Sequence, residues 1–222
     1  MTKLYNQLHE LFNSEGRFCF PFNNDIELIP RNGIYIIFEN GEQYKNWDRI
    51  VRVGTHTGDN QLRSRLKQHF INENKNRSIF RKNIGRCLLN KDKNPYLSKW
   101  DLDTTSKEDK MKNGHLIDKT FEQEVEKRIS QYIQENLSFT VFEVLTKDKR
   151  LFWESRIIST LAAFPNINPS ENWLGQYSPK EKIREYGLWQ VNELLNQPLN
   201  ESEFNALTEL IKKHDVHNTA EC

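Results

Sequence analysis

Gly33-Ile34-Tyr35-Ile36-Ile37-Phe38-Glu39 is a β-branched and aromatic run, followed by the turn-like pair Asn40-Gly41 and a second run, Arg49-Ile50-Val51-Arg52-Val53-Gly54. Residues of this kind suit a pleated, half-buried surface, so the two runs predict neighbouring antiparallel strands. Phe139-Thr140-Val141-Phe142-Glu143-Val144-Leu145 predicts a third strand.

Around these strands the apolar residues fall at helical spacing. Leu62, Leu66, His69 and Phe70 share one face, as do Phe121, Val125, Ile129, Tyr132 and Ile133. After a turn at Lys147-Asp148-Lys149, Leu151, Ile157, Ile158, Leu161 and Ala162 trace a helix that stops before Pro165. Leu4, Leu8, Leu11 and Phe12 mark an N-terminal helix ending near Gly16. Ser178-Pro179-Lys180-Glu181 opens another, with Ser178 as cap and Gly187 as terminator, and Phe204, Leu207, Leu210 and Ile211 form the last. The polar stretch from Trp100 to Lys119 predicts an exposed loop or mobile insertion. The fold class is α+β: a small antiparallel three-stranded sheet flanked by helices, with a long insertion and helical extensions at both ends.

The 222 residues suffice for one substantial core, and 13 Phe, 7 Tyr and 5 Trp supply its interior although 28% of residues are charged and the mean hydropathy is −0.81. No apolar run is long enough to span a membrane and the N-terminus lacks a signal-peptide layout, so a cytoplasmic location is expected. Cys19, Cys87 and Cys222 have no paired spacing and are expected to be free thiols. The net charge of +1 conceals an asymmetry: Lys45 to Lys99 holds 14 Lys or Arg against four acids, Asp48, Asp59, Glu73 and Asp92. Cations interleaved with Phe70, Phe80 and Tyr96 attract polyanions, although a solvated basic face is the ordinary meaning of such a run.

Glu154 is the informative residue. Ile157, Ile158 and Leu161 lie three, four and seven positions beyond it, so its carboxylate shares the core-facing side of the helix. A buried carboxylate must be neutralised, hydrogen-bonded or bound to a cation, and a core arginine is the plain structural solution. On the earlier helix Arg65 and His69 stand one turn apart beside the apolar stripe, so both can emerge at the edge of one packed surface. A guanidinium there can grip phosphate oxygens and an imidazole can move a proton. Arg63 is the competing arginine, off the flank that carries His69.

Taken in order, Gly33-Ile34-Tyr35, Arg52-Val53-Gly54, Arg65-Leu66-Lys67-Gln68-His69, Glu154 and Pro165-Asn166-Ile167-Asn168 resemble the GIY-YIG nuclease superfamily, which includes homing endonucleases, some restriction enzymes and the incision domain of excision repair. The resemblance implies a nuclease domain over residues 28–170 with an insertion at about 73–137, an N-terminal extension at 1–27 and a C-terminal extension at 171–222 packed on the same core. It further implies phosphodiester hydrolysis of nucleic acid, DNA favoured over RNA, by a monomer or homodimer, with Mg²⁺ or Mn²⁺ held by Glu154. Tyr35, Arg52, Arg65, His69, Glu154 and Asn168 become the candidate site, with Asn166 as the alternative to Asn168. One departure stands out. The second signature ordinarily begins with tyrosine, and here Arg52 takes that place, leaving Tyr35 as the only signature tyrosine. Roles split between two tyrosines elsewhere then fall to Tyr35, Arg52 and His69.

The wider chain, including Arg77-Ser78-Ile79-Phe80-Arg81 and Asn172-Trp173-Leu174-Gly175, is similar to a bacterial group within the superfamily, and restriction, defence, repair and mobile-element roles all fit. The main rival is a catalytically silent nucleic-acid-binding module on the same fold. Asp103 with Glu108-Asp109-Lys110 suggests a nuclease of another fold, but without a strand pattern, and His214 with His217 could bind a metal near the C-terminus.

Overall fold

A computed structural model describes residues 2–22, 24–164 and 167–212. The strands form one antiparallel sheet in the order β1-β4-β2-β3, from β1 (Phe18–Cys19), β2 (Gly33–Tyr44), β3 (Trp47–Gly54) and β4 (Leu137–Glu143). The sequence predicts three of these. The fourth, β1, pairs Phe18 with Phe139 and Cys19 with Ser138, and so short a strand carries no alternation to read.

Helices cover both faces of the sheet, which is why β2 and β3 read as nearly unbroken apolar runs. On one face Ile34, Ile36, Phe38, Ile50 and Val53 pack against α1 (Thr2–Asn13), α7 (Lys147–Ala162) and α9 (Glu201–Lys212). On the other, Tyr35, Ile37 and Val51 meet α2 (Leu62–Phe70), α3 (Ile79–Lys91) and α6 (Lys119–Asn136), together with Trp173 and Trp189 of the C-terminal segment. That segment is pinned through a buried carboxylate. Glu39 accepts the indole N–H groups of Trp173 at 3.0 Å and Trp189 at 2.8 Å and the hydroxyl of Tyr132.

Several local expectations are corrected. Asn40-Gly41 is not the hairpin turn: Gly41 takes φ +80° within β2, and the chain reverses at Lys45, φ +55°, between the paired Tyr44 and Trp47. Lys147-Asp148-Lys149 is the first turn of α7 rather than a loop, and α1 ends at Asn13, short of Gly16. In α8 (Glu181–Tyr186) the N-cap is Lys180; Ser178 accepts the Lys180 N–H at 3.1 Å instead of capping the helix. Gly187 does end α8, at φ +60°.

The stretch from Trp100 to Lys119 is not a plain loop. Trp100 closes α4 (Leu97–Trp100) and is fully buried, while α5 (Lys107–Asn113) starts where Ser106 Oγ accepts the Asp109 N–H at 2.9 Å. Asp109 is spent on this cap and Asp103 accepts the Thr105 N–H, so neither joins a metal-binding cluster among the described residues. Cys87 is a free, buried thiol, but Cys19 is disulfide-bonded, which overturns the expectation of free cysteines there. Cys222, His214 and His217 lie outside the described residues. No helix among the described residues is long and apolar enough to cross a membrane.

The basic run is also less free than its composition suggests. Arg49, Arg63, Lys75, Arg81 and Arg86 pair with Glu42, Glu27, Glu122, Glu126 and Asp101, all acids from outside the run. Arg52 and Arg65 form no ion pair among the described residues, and these two point the way to the site.

Candidate active site

The glycine that ends β3 makes room for the ring opposite it. Gly54 pairs with Tyr35 across the strands, and a Cβ at Gly54 would lie 2.2 Å from Tyr35 Oη and 2.3 Å from its Cζ. No other residue lets the phenol cross the strand end. Gly54→Ala is therefore expected to displace Tyr35, lower stability by about 1–3 kcal/mol as overpacking does, and suppress activity; urea denaturation beside a cleavage assay checks both.

Tyr35, 1% exposed, sets its hydroxyl 2.8 Å from His69 Nε2, and His69 Nδ1 lies 2.8 Å from Ser78 Oγ. Ser78 is itself fixed as the N-cap of α3, accepting the Arg81 N–H at 3.2 Å. His69 is fully buried rather than at the surface edge that its helical spacing predicts, because α3 closes over it with Phe80. Arg81 braces the same turn from below. Its Nη1 donates to the His69 carbonyl at 3.0 Å while its guanidinium pairs with Glu126 at 2.7 Å. Burial, then the fields of Arg65, Arg52 and Arg81, hold the imidazole well below its usual titration range, so His69 is neutral.

A β-bulge, where Ile37 pairs with Arg52 but Phe38 with Ile50, leaves Val51 unpaired on the Tyr35 face. Arg52, two places from the Gly54–Tyr35 pair, reaches the same face by ordinary strand alternation. There it stacks 4.9 Å from the centre of the Phe80 ring and donates through Nη1 to the Trp189 carbonyl. The Trp189 N–H in turn donates to the Val51 carbonyl at 2.7 Å, and Gln190 Oε1 accepts the Val53 N–H at 2.8 Å, so the C-terminal segment lines the exposed edge of β3. Arg52 Nε has no partner among the described residues.

Glu154 faces this cation from α7. Its Oε1 accepts the Thr55 N–H at 3.0 Å, and no ion pair holds it among the described residues, so the core arginine that would neutralise it structurally is missing. Desolvation pushes its carboxyl up to about 7, with Arg52, the Thr55 N–H and Arg65 opposing and Glu193 adding to the rise. Thr55 is positioned by its own hydroxyl, which donates to the Gly33 carbonyl at 2.7 Å. The loop beyond is stapled by His56, whose Nε2 accepts the Gly33 N–H at 3.2 Å, and by Arg150, which donates to the His56 and Gly58 carbonyls.

Arg65 lines a polar cavity of about 250 Å³ with Thr55, His56 and Gln68. Its Nη1 donates to the Arg77 carbonyl at 3.0 Å and to Gln68 at 3.2 Å, leaving Nε without a partner among the described residues. Arg63 is committed elsewhere, to Glu27 and the Ile29 carbonyl. Asn168 is exposed, and no described contact brings it to Tyr35 or Glu154; Ile167 and Pro169 beside it pack on Gly187. Asn166 and Pro165 lie outside the described residues.

The donor set suits a hard divalent cation in one way only. No group of three or more His, Cys, Asp or Glu gathers among the described residues, so a complete protein cage is absent there. Glu154 offers a half-buried carboxylate oxygen with no ion-pair partner among the described residues, the kind of single anchor Mg²⁺ accepts when phosphate and water complete its shell. Thr55, Ser78, Trp189, Gln190 and the Arg77 carbonyl escape a reading of the sequence, since most act through the main chain. Only Ser78 gives a signal, as a capping residue before an apolar helix.

A signature strand whose tyrosine meets a helix-borne histidine, opposite a carboxylate on a second helix, defines a class of small α+β proteins built around one antiparallel sheet. The chain belongs to the GIY-YIG family: a family model described as a GIY-YIG domain matches residues 1–217. Comparison with curated proteins and with solved structures finds no match. Membership in a family made up generally of endonucleases suggests nucleic-acid cleavage.

Proposed function

We propose that this protein is a divalent-metal-dependent endonuclease that hydrolyses phosphodiester bonds, with DNA as the favoured substrate. The observation that carries the reading is a half-buried carboxylate, Glu154, without an ion-pair partner among the described residues and held on the N–H of Thr55, the residue after the Gly54 that pairs with Tyr35 of the hydrogen-bonded Tyr35–His69 pair. Residues 28–170 supply the reaction centre, and the flanking segments complete its core.

A divalent cation on Glu154 would supply Lewis acidity toward a non-bridging phosphate oxygen. The other roles fall to side chains. The planar fork of Arg65 suits phosphate oxygens and stabilises the charge that gathers on pentacoordinate phosphorus. As the attacking water forms its bond to phosphorus, its proton passes to Tyr35 Oη while the phenol proton moves to His69 Nε2; the 3′ oxygen leaves with the electron pair of the broken bond. The relay needs a neutral imidazole, because an imidazolium has no lone pair to receive the phenol proton. Burial and three arginines keep it so. Arg52 takes up the cationic neighbourhood of Tyr35 in place of a second phenol.

Ser78 acts as a positioning residue, fixing the ring through Nδ1. Ser78→Ala is expected to reduce kcat on the order of tenfold, less than the 10²–10⁴ that a positioned acid–base group itself supplies, while KM stays unchanged; Ser78→Thr should recover most of the loss if the hydroxyl is what matters.

The test of the whole reading is incubation with plasmid, single-stranded DNA and RNA, in Mg²⁺ or EDTA, beside Glu154→Ala. Fragments that require both Mg²⁺ and Glu154 support it. Salt-dependent binding without cleavage favours the silent binding module, and cleavage by folded Glu154→Ala sinks the assignment.

A further inference from the structure

A second polar cavity, of about 520 Å³, opens beside the candidate site between the loop that follows α2, the residues leading into α5, and the first turns of α6. It is joined to the site through Arg77, whose carbonyl accepts the Arg65 guanidinium at 3.0 Å and which also lines the cavity. Its charges resolve unequally. Of its acids, Glu122 pairs with Lys75 at 2.6 Å and Glu126 with Arg81 at 2.7 Å, so both are neutralised within the protein. Arg77, Lys110 and Lys119 are exposed, line the same cavity and form no ion pair among the described residues, against Glu73 as the remaining acid. No aromatic ring among the described residues lines it.

We propose that this cavity is a phosphate subsite for the nucleic-acid strand flanking the scissile bond, resting on the nuclease reading for the identity of its ligand. Cations without aromatic platforms hold the sugar–phosphate backbone and cannot stack bases. The subsite therefore fixes the register of the strand on Arg65 and carries no sequence preference. It also gives α5 and the start of α6, the polar part of the insertion, a task that its composition leaves open.

The test is fluorescence anisotropy with labelled single-stranded and duplex oligonucleotides of several sequences, in EDTA, across a series of KCl concentrations. Lys110→Glu/Lys119→Glu is compared with Lys3→Glu/Lys212→Glu, an equal change of charge on α1 and α9 across the sheet. The first pair is expected to weaken binding about tenfold or more on every sequence and to flatten the slope of log K against log salt by about two contacts' worth, near 0.9 per duplex phosphate. In Mg²⁺ it should raise KM with kcat retained. Affinity and slope indistinguishable from the control pair overturn the subsite, even where the wild type cleaves. Loss of binding in a chain that never cleaves upholds the subsite and overturns the nuclease reading instead.

Discussion

Glu154→Gln is expected to lower metal-dependent cleavage on the order of 10³-fold or more, as loss of an electrostatic anchor at a phosphoryl centre does, and at the same time to make the folded protein more stable at pH 8. The two effects have one cause. The carboxylate is half-buried with one backbone N–H as its hydrogen-bond donor and no ion-pair partner among the described residues, and desolvation outweighs Arg52 in setting its titration. Folding thus raises the carboxyl from 4.5 to about 7. A raised acid binds more protons folded than unfolded, so stability falls as pH climbs from about 4.5 to about 7 and then levels off. At about 1.4 kcal/mol per pH unit, the cost at pH 8 has an upper bound of ~3.5 kcal/mol, reduced by the solvent that reaches the group.

Glutamine keeps the shape and removes the charge. Its variant should melt up to roughly 5–10 °C above the wild type at pH 8 and level with it below pH 4, as thermal denaturation at the two pH values would reveal. Mg²⁺ should narrow the difference, raising the melting temperature of the wild type and not of Glu154→Gln, since only a ligand of the folded state shifts that equilibrium. Equal melting temperatures at pH 8, with no response to Mg²⁺, would mean that Glu154 is an ordinary surface acid.

The sequence disclosed the parts of this site that depend on side-chain type and missed those that depend on the path of the main chain. Gly33 to Phe38 and Arg49 to Gly54 are legible as strands because both faces of the sheet are covered, and Glu154 stands out because it interrupts an apolar face. The bulge that puts Val51 on the Tyr35 face beside Arg52 is announced by no residue pattern. Spacing puts Arg65 and His69 on one flank, yet α3 buries His69 completely, and α3 belongs to the insertion rather than to the signature. The basic run shows the opposite failure. Its cations are visible, but the glutamates and the aspartate that neutralise Arg49, Lys75, Arg81 and Arg86 sit outside it, so composition overstates the free charge. For α5 the sequence carries a local signal: Ser106 with Asp109 three residues on is a helix start within a polar stretch.

Tyr35→Phe separates the proton relay from the rest of the site. The hydroxyl is buried and its hydrogen bond goes to His69, so its loss leaves the imidazole Nε2 without that partner at a cost of about 1–3 kcal/mol, partly offset by the more apolar ring. Nucleic-acid affinity in EDTA should not change, because Arg65 and the charged surface are untouched. Cleavage should fall on the order of 10²–10⁴-fold, the range for a positioned proton acceptor. The pH profile then assigns the titrating group. His69 stays neutral throughout the working range, so the acid limb of the wild-type profile belongs to Glu154, near 7 when metal is limiting and lower when it saturates, since the cation competes with the proton. Tyr35→Phe should lower the plateau and leave that limb in place. If the acid limb disappears with the hydroxyl, the titration belongs to the Tyr35–His69 pair, and Glu154 no longer sets the pH at which the site can work.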